Sequence, residues 1–125
     1  MSKLLVASLL VGLLAYAGSP AFAHHSTAIY EFSPITIAGT VLEFRFINPH
    51  SILVLRQTGA GGRATVWHLE GNPPAALVRD GFSRNSLRPG DRITVQILRL
   101  RSGKAGGYWK PRTIFIQSRR QSVGH

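Results

Sequence analysis

Two adjacent histidines, His24 and His25, directly follow the triplet Ala21-Phe22-Ala23. If the chain is cut after this triplet, His24 becomes the first residue and carries a free α-amine. The amine and imidazole of His24 could then chelate one metal ion, or His25 could instead bind it together with the amine and the intervening amide nitrogen. Planar nitrogen ligands suit Cu(II) or Ni(II), and neutral pH frees much of such a site from protons. The pair predicts a transition-metal site, with copper favoured; the alternative is a polar terminus with adventitious affinity.

Residues 1–23 have the three parts of a secretory signal peptide. Lys3 is the positive start, the apolar run LLVASLLVGLL follows, and AFA has the small-x-small form that signal peptidase accepts. A retained membrane anchor is the alternative, but the apolar run is short for a bilayer span. The chain has no cysteine, which excludes lipoprotein attachment. We therefore expect a periplasmic or secreted protein that starts at His24 and has no membrane span.

Three further residues could belong to a metal site. His50 follows Asn48-Pro49 in a predicted turn, and residues held at the end of a rigid scaffold are often functional. We predict His50 as a third metal ligand; the alternative is a turn histidine bonded to the backbone. His68 and Glu70 share one face of a predicted strand and could orient the ligands. The alternative for this pair is the solvated face of a half-buried strand.

The acidic residues do not indicate catalysis. Asp80 and Asp91 fall at a predicted helix end and in a predicted turn, and these positions explain them. No nucleophile motif is present, and the GAGG segment at 59–62 lacks the Lys-Ser/Thr pair of a phosphate-binding loop. We expect a protein that is not an enzyme.

The charge balance suggests a different class of function. Removing Lys3 from the 15 Lys and Arg residues leaves 14, against 5 acidic residues, a formal net charge of +9. Such a balance favours an anionic partner, although it also fits a solubilising surface. The alternative function is therefore a non-catalytic interaction module for a polyanion or a cell-envelope partner. Its candidate basic and aromatic contact residues, several of them in a loop before the last predicted strand, are Arg99, Arg101, Tyr108, Trp109, Lys110 and Arg112. Export argues against a nucleic-acid partner.

Apolar periodicity predicts an all-β fold with one short helix, in the order β-β-β-α-β-β. The predicted strands cover 35–47, 51–57, 63–71, 92–101 and 112–118. In the first strand the apolar residues change from odd to even positions beside Gly39, which indicates a bulge or a sharp bend. A bent strand can serve both halves of a barrel, so we predict a five-stranded OB-like Greek-key barrel. An antiparallel meander with a helical insert is the alternative.

The helix signals lie between the third and fourth strands. Asn72 can serve as the N-cap, Pro73 suits the first helical position, and PAALVRD supplies about two turns. Gly81 can end the helix in a left-handed conformation, with Phe82 folding back onto it. We expect a single domain over 24–118, because a chain of this length supports one core, followed by a flexible basic tail over 119–125.

The combined motifs resemble an uncharacterised family of small exported bacterial proteins. The resemblance rests on AFAHHS, TIAGTVLEFRFINPHSILVL, VWHLEGNPPAALVRDGF and SLRPGDRITVQ, and it covers essentially the whole chain after residue 23. It implies export and a shared fold rather than an activity. The positions that match are His24, His25, Ser26, Gly39, Thr40, Val41, Asn48, Pro49, His50, Trp67, Glu70, Arg79, Gly81, Leu87, Pro89, Gly90 and Asp91.

Overall fold

A computed structural model describes residues 28–119. It contains six strands and one α-helix, besides two single-turn 3₁₀ helices at Ala60–Gly62 and Pro111–Thr113. The elements in chain order are β1 (Ile35–Arg45), β2 (Ile52–Thr58), β3 (Ala64–Glu70), α1 (Pro74–Arg79), β4 (Arg92–Arg99), β5 (Gly106–Trp109) and β6 (Phe115–Ser118). Within residues 28–119, no helix has the length and apolar character needed to cross a lipid bilayer.

Five of the strands close into a barrel. The order around it is β1-β2-β3-β5-β4, and β4 pairs back onto β1. All of these pairings are antiparallel except β3 with β5, which is parallel. The sixth strand, β6, pairs with the first residues of β4. The predicted OB-like barrel is confirmed, and its closure leaves each of the five strands with partners on both sides.

The long first strand bends because it pairs with two different neighbours. Its first half, Ile35–Thr40, pairs with β4, and its second half pairs with β2. The register shift lies between Val41 and Glu43, slightly later than the predicted position beside Gly39. Gly39 instead permits a close approach of strands: a Cβ there would lie 2.8 Å from the backbone oxygen of Arg56. The predicted bend is therefore present, with the bulge and the glycine at separate positions.

The core fills the inside of the barrel with inward-facing aliphatic side chains and one indole. Successive side chains alternate between the two faces of each strand, and in β4 Ile93, Val95 and Ile97 are buried while the residues between them are half-buried. The helix contributes one fully buried side chain, Leu77, to this core. The core cluster consists of Ile37, Val41, Leu53, Leu55, Leu69, Leu77, Leu87, Ile93, Val95, Ile97 and Trp109.

The last barrel strand differs from the prediction. The segment Gly106–Trp109 was expected in a loop, but it forms β5 and closes the barrel between β3 and β4. The predicted strand over 112–118 is a 3₁₀ turn followed by the short strand β6. Glycines disfavour strands by propensity, yet here they permit close packing, since a Cβ on Gly107 would overlap the carbonyl of Leu98.

The helix follows the predicted plan with a shift of one residue at its start. Pro73, not Asn72, is the N-cap, and Pro74 takes the first helical position. Gly81 has φ +86 and ends the helix as predicted. The Phe82 amide donates to the Leu77 carbonyl at 2.9 Å, so Phe82 does fold back onto the helix. Because Asn72 does not cap the helix, its side chain is free for another contact.

Candidate functional site

A surface cavity of about 400 Å³ lies beside the point where the described chain begins. Its apolar walls include Ile29 and Leu98. Five polar side chains also line it, namely Tyr30, His50, Glu70, Asn72 and Tyr108. A concave, mainly apolar site with a few convergent polar groups is the usual form of a binding pocket.

Four segments that are distant in sequence bring these side chains together. His50 lies in the loop between β1 and β2, and Glu70 is the last residue of β3. Tyr108 in β5 is the register partner of Glu70. Tyr30 forms an isolated bridge with Leu100, just beyond β4. The pairing of β3 with β5 that closes the barrel therefore places Glu70 and Tyr108 side by side in the cavity wall.

The segment before β1 is tied to the end of β4 by backbone hydrogen bonds. The Glu31 amide donates to the Arg99 carbonyl at 2.8 Å, and the Arg101 amide donates to the Ile29 carbonyl at 2.9 Å. Arg101 also donates from Nε to the Tyr30 carbonyl at 2.8 Å. The sequence predicts no helix or strand between His25 and residue 35, whereas the structure places Ile29 and Tyr30 of this segment in the cavity wall.

The two tyrosines of the cavity act as hydrogen-bond donors. The Tyr30 hydroxyl donates to Glu70 Oε2 at 3.4 Å, and the Tyr108 hydroxyl donates to Asn72 Oδ1. The two rings meet edge to face with centroids 6.0 Å apart. Burial raises the pKa of both phenols, and for Tyr30 the negative charge of Glu70 raises it further. Both phenols are therefore protonated at neutral pH.

Of the three histidines predicted as ligands, the structure places only His50, whose exposed side chain borders the cavity together with Glu70. His24 and His25 lie outside the described residues, as does the predicted signal peptide. Glu70 forms no ion pair with a cation of residues 28–119, and its carboxylate accepts the Tyr30 hydroxyl. In that same part of the chain no three His, Cys, Asp or Glu side chains cluster closely enough to hold a metal ion.

The face assignment of β3 is confirmed. Val66, His68 and Glu70 are exposed, whereas Leu69 is buried and Trp67 packs against the core. Of the two residues predicted to support a metal site, Glu70 borders the cavity and His68 does not.

The residues predicted for a polyanion contact are placed differently from the expectation. Trp109 is fully buried in the core, so the prediction that it lies on a contact loop is wrong. Arg99 and Arg112 form ion pairs at 2.9 Å with Glu31 and Asp80, respectively. Arg101 stacks its guanidinium over the Phe32 ring, 4.7 Å from the centroid. Lys110 is half-buried at the end of β5.

Three polar residues of the cavity were not predicted to belong to it. Tyr30 was given no role, Asn72 was predicted as the helix N-cap, and Tyr108 was assigned to the polyanion surface. Tyr30 and Tyr108 carry no motif that the sequence could reveal, because each reaches the cavity through pairing with a distant segment. Asn72 reaches it because it follows β3 by two residues. Two sequence signals pointed to this place: the exposed polar face of β3, which ends at Glu70, and the turn that holds His50.

Comparisons with known proteins give a family but no relative of established activity. No curated protein matches the chain, and neither does any solved structure. A family model described as a family of unknown function, DUF6152, matches residues 11–110. Because this match spans most of the chain, including every strand that closes the barrel, the protein belongs to the DUF6152 family.

Proposed function

We propose that the protein is exported, begins at His24 after cleavage, and binds a transition metal, with Cu(II) favoured. The ligands are the α-amine and imidazole of His24 together with His25 and His50. One observation carries the proposal: His50 borders the same cavity as Ile29 and Tyr30, the residues that continue the chain from the two terminal histidines.

The length of chain before the cavity is compatible with this arrangement. Four residue steps separate His25 from Ile29. An extended chain advances at most about 3.3–3.6 Å per residue, which gives a reach of about 13–14 Å. Ile29 and His50 line the same cavity of about 400 Å³, and we expect this reach to bring a terminal histidine to His50.

The cavity supplies groups that suit a bound cation. The Glu70 carboxylate contributes negative charge and can accept an N–H from a ligating imidazole, which orients the ring. The neutral Tyr30 phenol already holds Glu70 by a hydrogen bond. These two residues would act on the ligands rather than on the metal itself.

The available donor atoms favour Cu(II) or Ni(II) over Cu(I). The chain has no cysteine, and its single methionine is Met1. Soft sulfur ligands select Cu(I), whereas an amine with imidazoles favours Cu(II) and Ni(II). We propose a binding protein without catalytic activity, because the site offers metal ligands and because the raised pKa of Tyr30 keeps the phenol beside Glu70 protonated and a poor nucleophile.

The proposal is tested by titrating Cu(II) into protein that begins at His24, followed by calorimetry and electron paramagnetic resonance. Mass spectrometry of the protein exported from cells expressing the full chain first establishes where it begins. The control protein carries the four residues Gly-Ser-Gly-Ser ahead of His24, which moves the α-amine out of chelating reach of both His24 and His25. Equal affinity of the two proteins, or no binding below micromolar concentrations, would contradict the proposal.

A further inference from the structure

Four residues on four neighbouring strands form a row across the outside of the barrel. Thr40 of β1 is the register partner of Arg56 in β2 and also of Arg92 in β4. Arg92 is in turn the register partner of Ser118 in β6. Strand spacing is about 4.8 Å, so the two arginines lie about two spacings apart with a threonine between them.

The side chains of this row point away from the core. Residues directly opposite each other in a ladder share a face of the sheet. The next residues along the strands, Val41, Leu55 and Ile93, are buried inside the barrel. Arg56 and Arg92 are exposed. Both guanidinium groups therefore stand on the outer surface, with the Thr40 hydroxyl between their strands.

Neither arginine has a carboxylate partner among residues 28–119. The four ion pairs of that part of the chain engage Arg45, Arg99, Arg112 and Arg119 instead. Two unpaired cations held near each other by strand register repel, and an anion placed between them relieves that repulsion.

Two adjoining surface cavities flank Arg92, and both also contact Thr40. One has a volume of about 170 Å³ and extends to Arg56, with Thr58 and Gln117 as further hydrogen-bond donors. The other has a volume of about 270 Å³ and extends to Ser118 and Arg119. No carboxylate lines either cavity. We call the two together the arginine groove.

We propose that the arginine groove binds a ligand that carries two adjacent phosphate-type oxyanions, one in each cavity. Arg92 lies between the two groups and contacts both, while Arg56 contacts the outer side of the first group and the Ser118 hydroxyl contacts the second. Arg119 also lines the second cavity, with its guanidinium paired to Asp91. Guanidinium groups suit this chemistry because their planar donor pairs match the oxygens of phosphate. This site is separate from the cavity at His50 and does not depend on the proposed metal.

The test measures binding of inorganic pyrophosphate and inorganic phosphate by calorimetry, using protein purified from cells that express the full chain. The double variant Arg56→Gln with Arg92→Gln removes the two unpaired cations. The double variant Arg63→Gln with Arg84→Gln is the control, since it changes the net charge equally at two exposed positions outside the groove. Thermal melting shows that both variants are folded.

We expect pyrophosphate to bind at least tenfold more tightly than phosphate, and the groove variant to lose at least tenfold in pyrophosphate affinity while the control keeps it. Equal losses in the two variants would show attraction by net charge alone and overturn the proposal, as would equal affinity for phosphate and pyrophosphate. Sedimentation with phosphatidylglycerol vesicles identifies the source of the oxyanions. If the parent protein sediments with the vesicles and the groove variant does not, the oxyanions are those of membrane headgroups. If the parent protein binds pyrophosphate but does not sediment with the vesicles, the ligand is soluble.

Discussion

The indole of Trp109 lies directly against the backbone of Gly71, so that a Cβ at position 71 would overlap Nε1 of the ring. Trp109 comes from β5 and Gly71 directly follows β3, the two strands whose parallel pairing closes the barrel. The fully buried ring also meets Phe44 and Phe82 edge to face, at centroid distances of 6.0 and 5.8 Å. The Trp109 ring therefore contacts both Gly71 at the end of β3 and Phe82 just after the helix. Glu70 and Asn72, on either side of Gly71, line the cavity.

A methyl group at position 71 should destabilise the protein. In Gly71→Ala the new Cβ would overlap the Trp109 ring, and it would also lie only 2.7 Å from Ser51 Oγ. Overpacking of this kind costs about 1–3 kcal/mol or more. Urea unfolding of the variant gives the change in the free energy of unfolding.

Gly59→Ala is the matched control for Gly71→Ala. Gly59 has φ −93, which any residue can adopt, and the nearest atom to an added Cβ there is 3.6 Å away. We expect this variant to unfold within about 0.5 kcal/mol of the parent protein, as surface substitutions usually do. Equal stability of the two variants would contradict the packing at Gly71.

Truncation of Trp109 distinguishes a core strand from an exposed loop. Trp109→Ala leaves a cavity in the centre of the barrel, and such truncations cost about 3–5 kcal/mol. Lys110→Ala, at the adjacent half-buried position, should cost far less. Chemical denaturation measures both, and a loss below about 1 kcal/mol for Trp109→Ala would show that the ring is outside the core.

Stability should fall at alkaline pH because of Tyr30. Burial and the charge of Glu70 raise the pKa of Tyr30 in the folded protein, whereas the unfolded phenol titrates near its ordinary value of about 10. The stabilisation from Tyr30 is complete below that value and is lost as the pH rises through the higher folded pKa.

Denaturation of the parent protein and of Tyr30→Phe between pH 8 and about pH 11.5 tests this dependence. The free energy of unfolding of the parent should decline more steeply above about pH 10 than that of the variant. Absorbance at the phenolate band should show that Tyr30 ionises at a higher pH than free tyrosine. Parallel pH profiles for the two proteins would be inconsistent with the Tyr30–Glu70 contact.

Copper affinity should depend on His50 and not on His68. His50 borders the cavity, whereas His68 is exposed on β3 outside the cavity lining. In protein that begins at His24, His50→Ala should weaken Cu(II) binding at least tenfold. His68→Ala controls for the loss of one surface imidazole and should leave the affinity within about twofold. Equal losses from both substitutions would mean that the imidazoles bind copper independently of the cavity.

The local pattern of residues determined much of this architecture. Alternation of apolar and polar side chains placed the faces of β3 correctly, since a strand that buries one face needs that alternation. Gly81 and Phe82 marked the helix end because the left-handed turn there favours glycine. The change of parity in the first strand indicated the bend that lets β1 pair with both β2 and β4.

Only the tertiary structure determines that Gly106–Trp109 forms the closing strand and that the polar groups of the cavity meet. Gly106–Trp109 has the composition of a loop, yet it is a strand because β3 and β4 supply hydrogen bonds on both sides and the core takes the Trp109 ring. The groups of the cavity and the arginines of the groove meet through registers between strands distant in sequence. Local propensity depends on neighbouring residues alone, whereas burial and pairing with distant strands override it where the barrel closes.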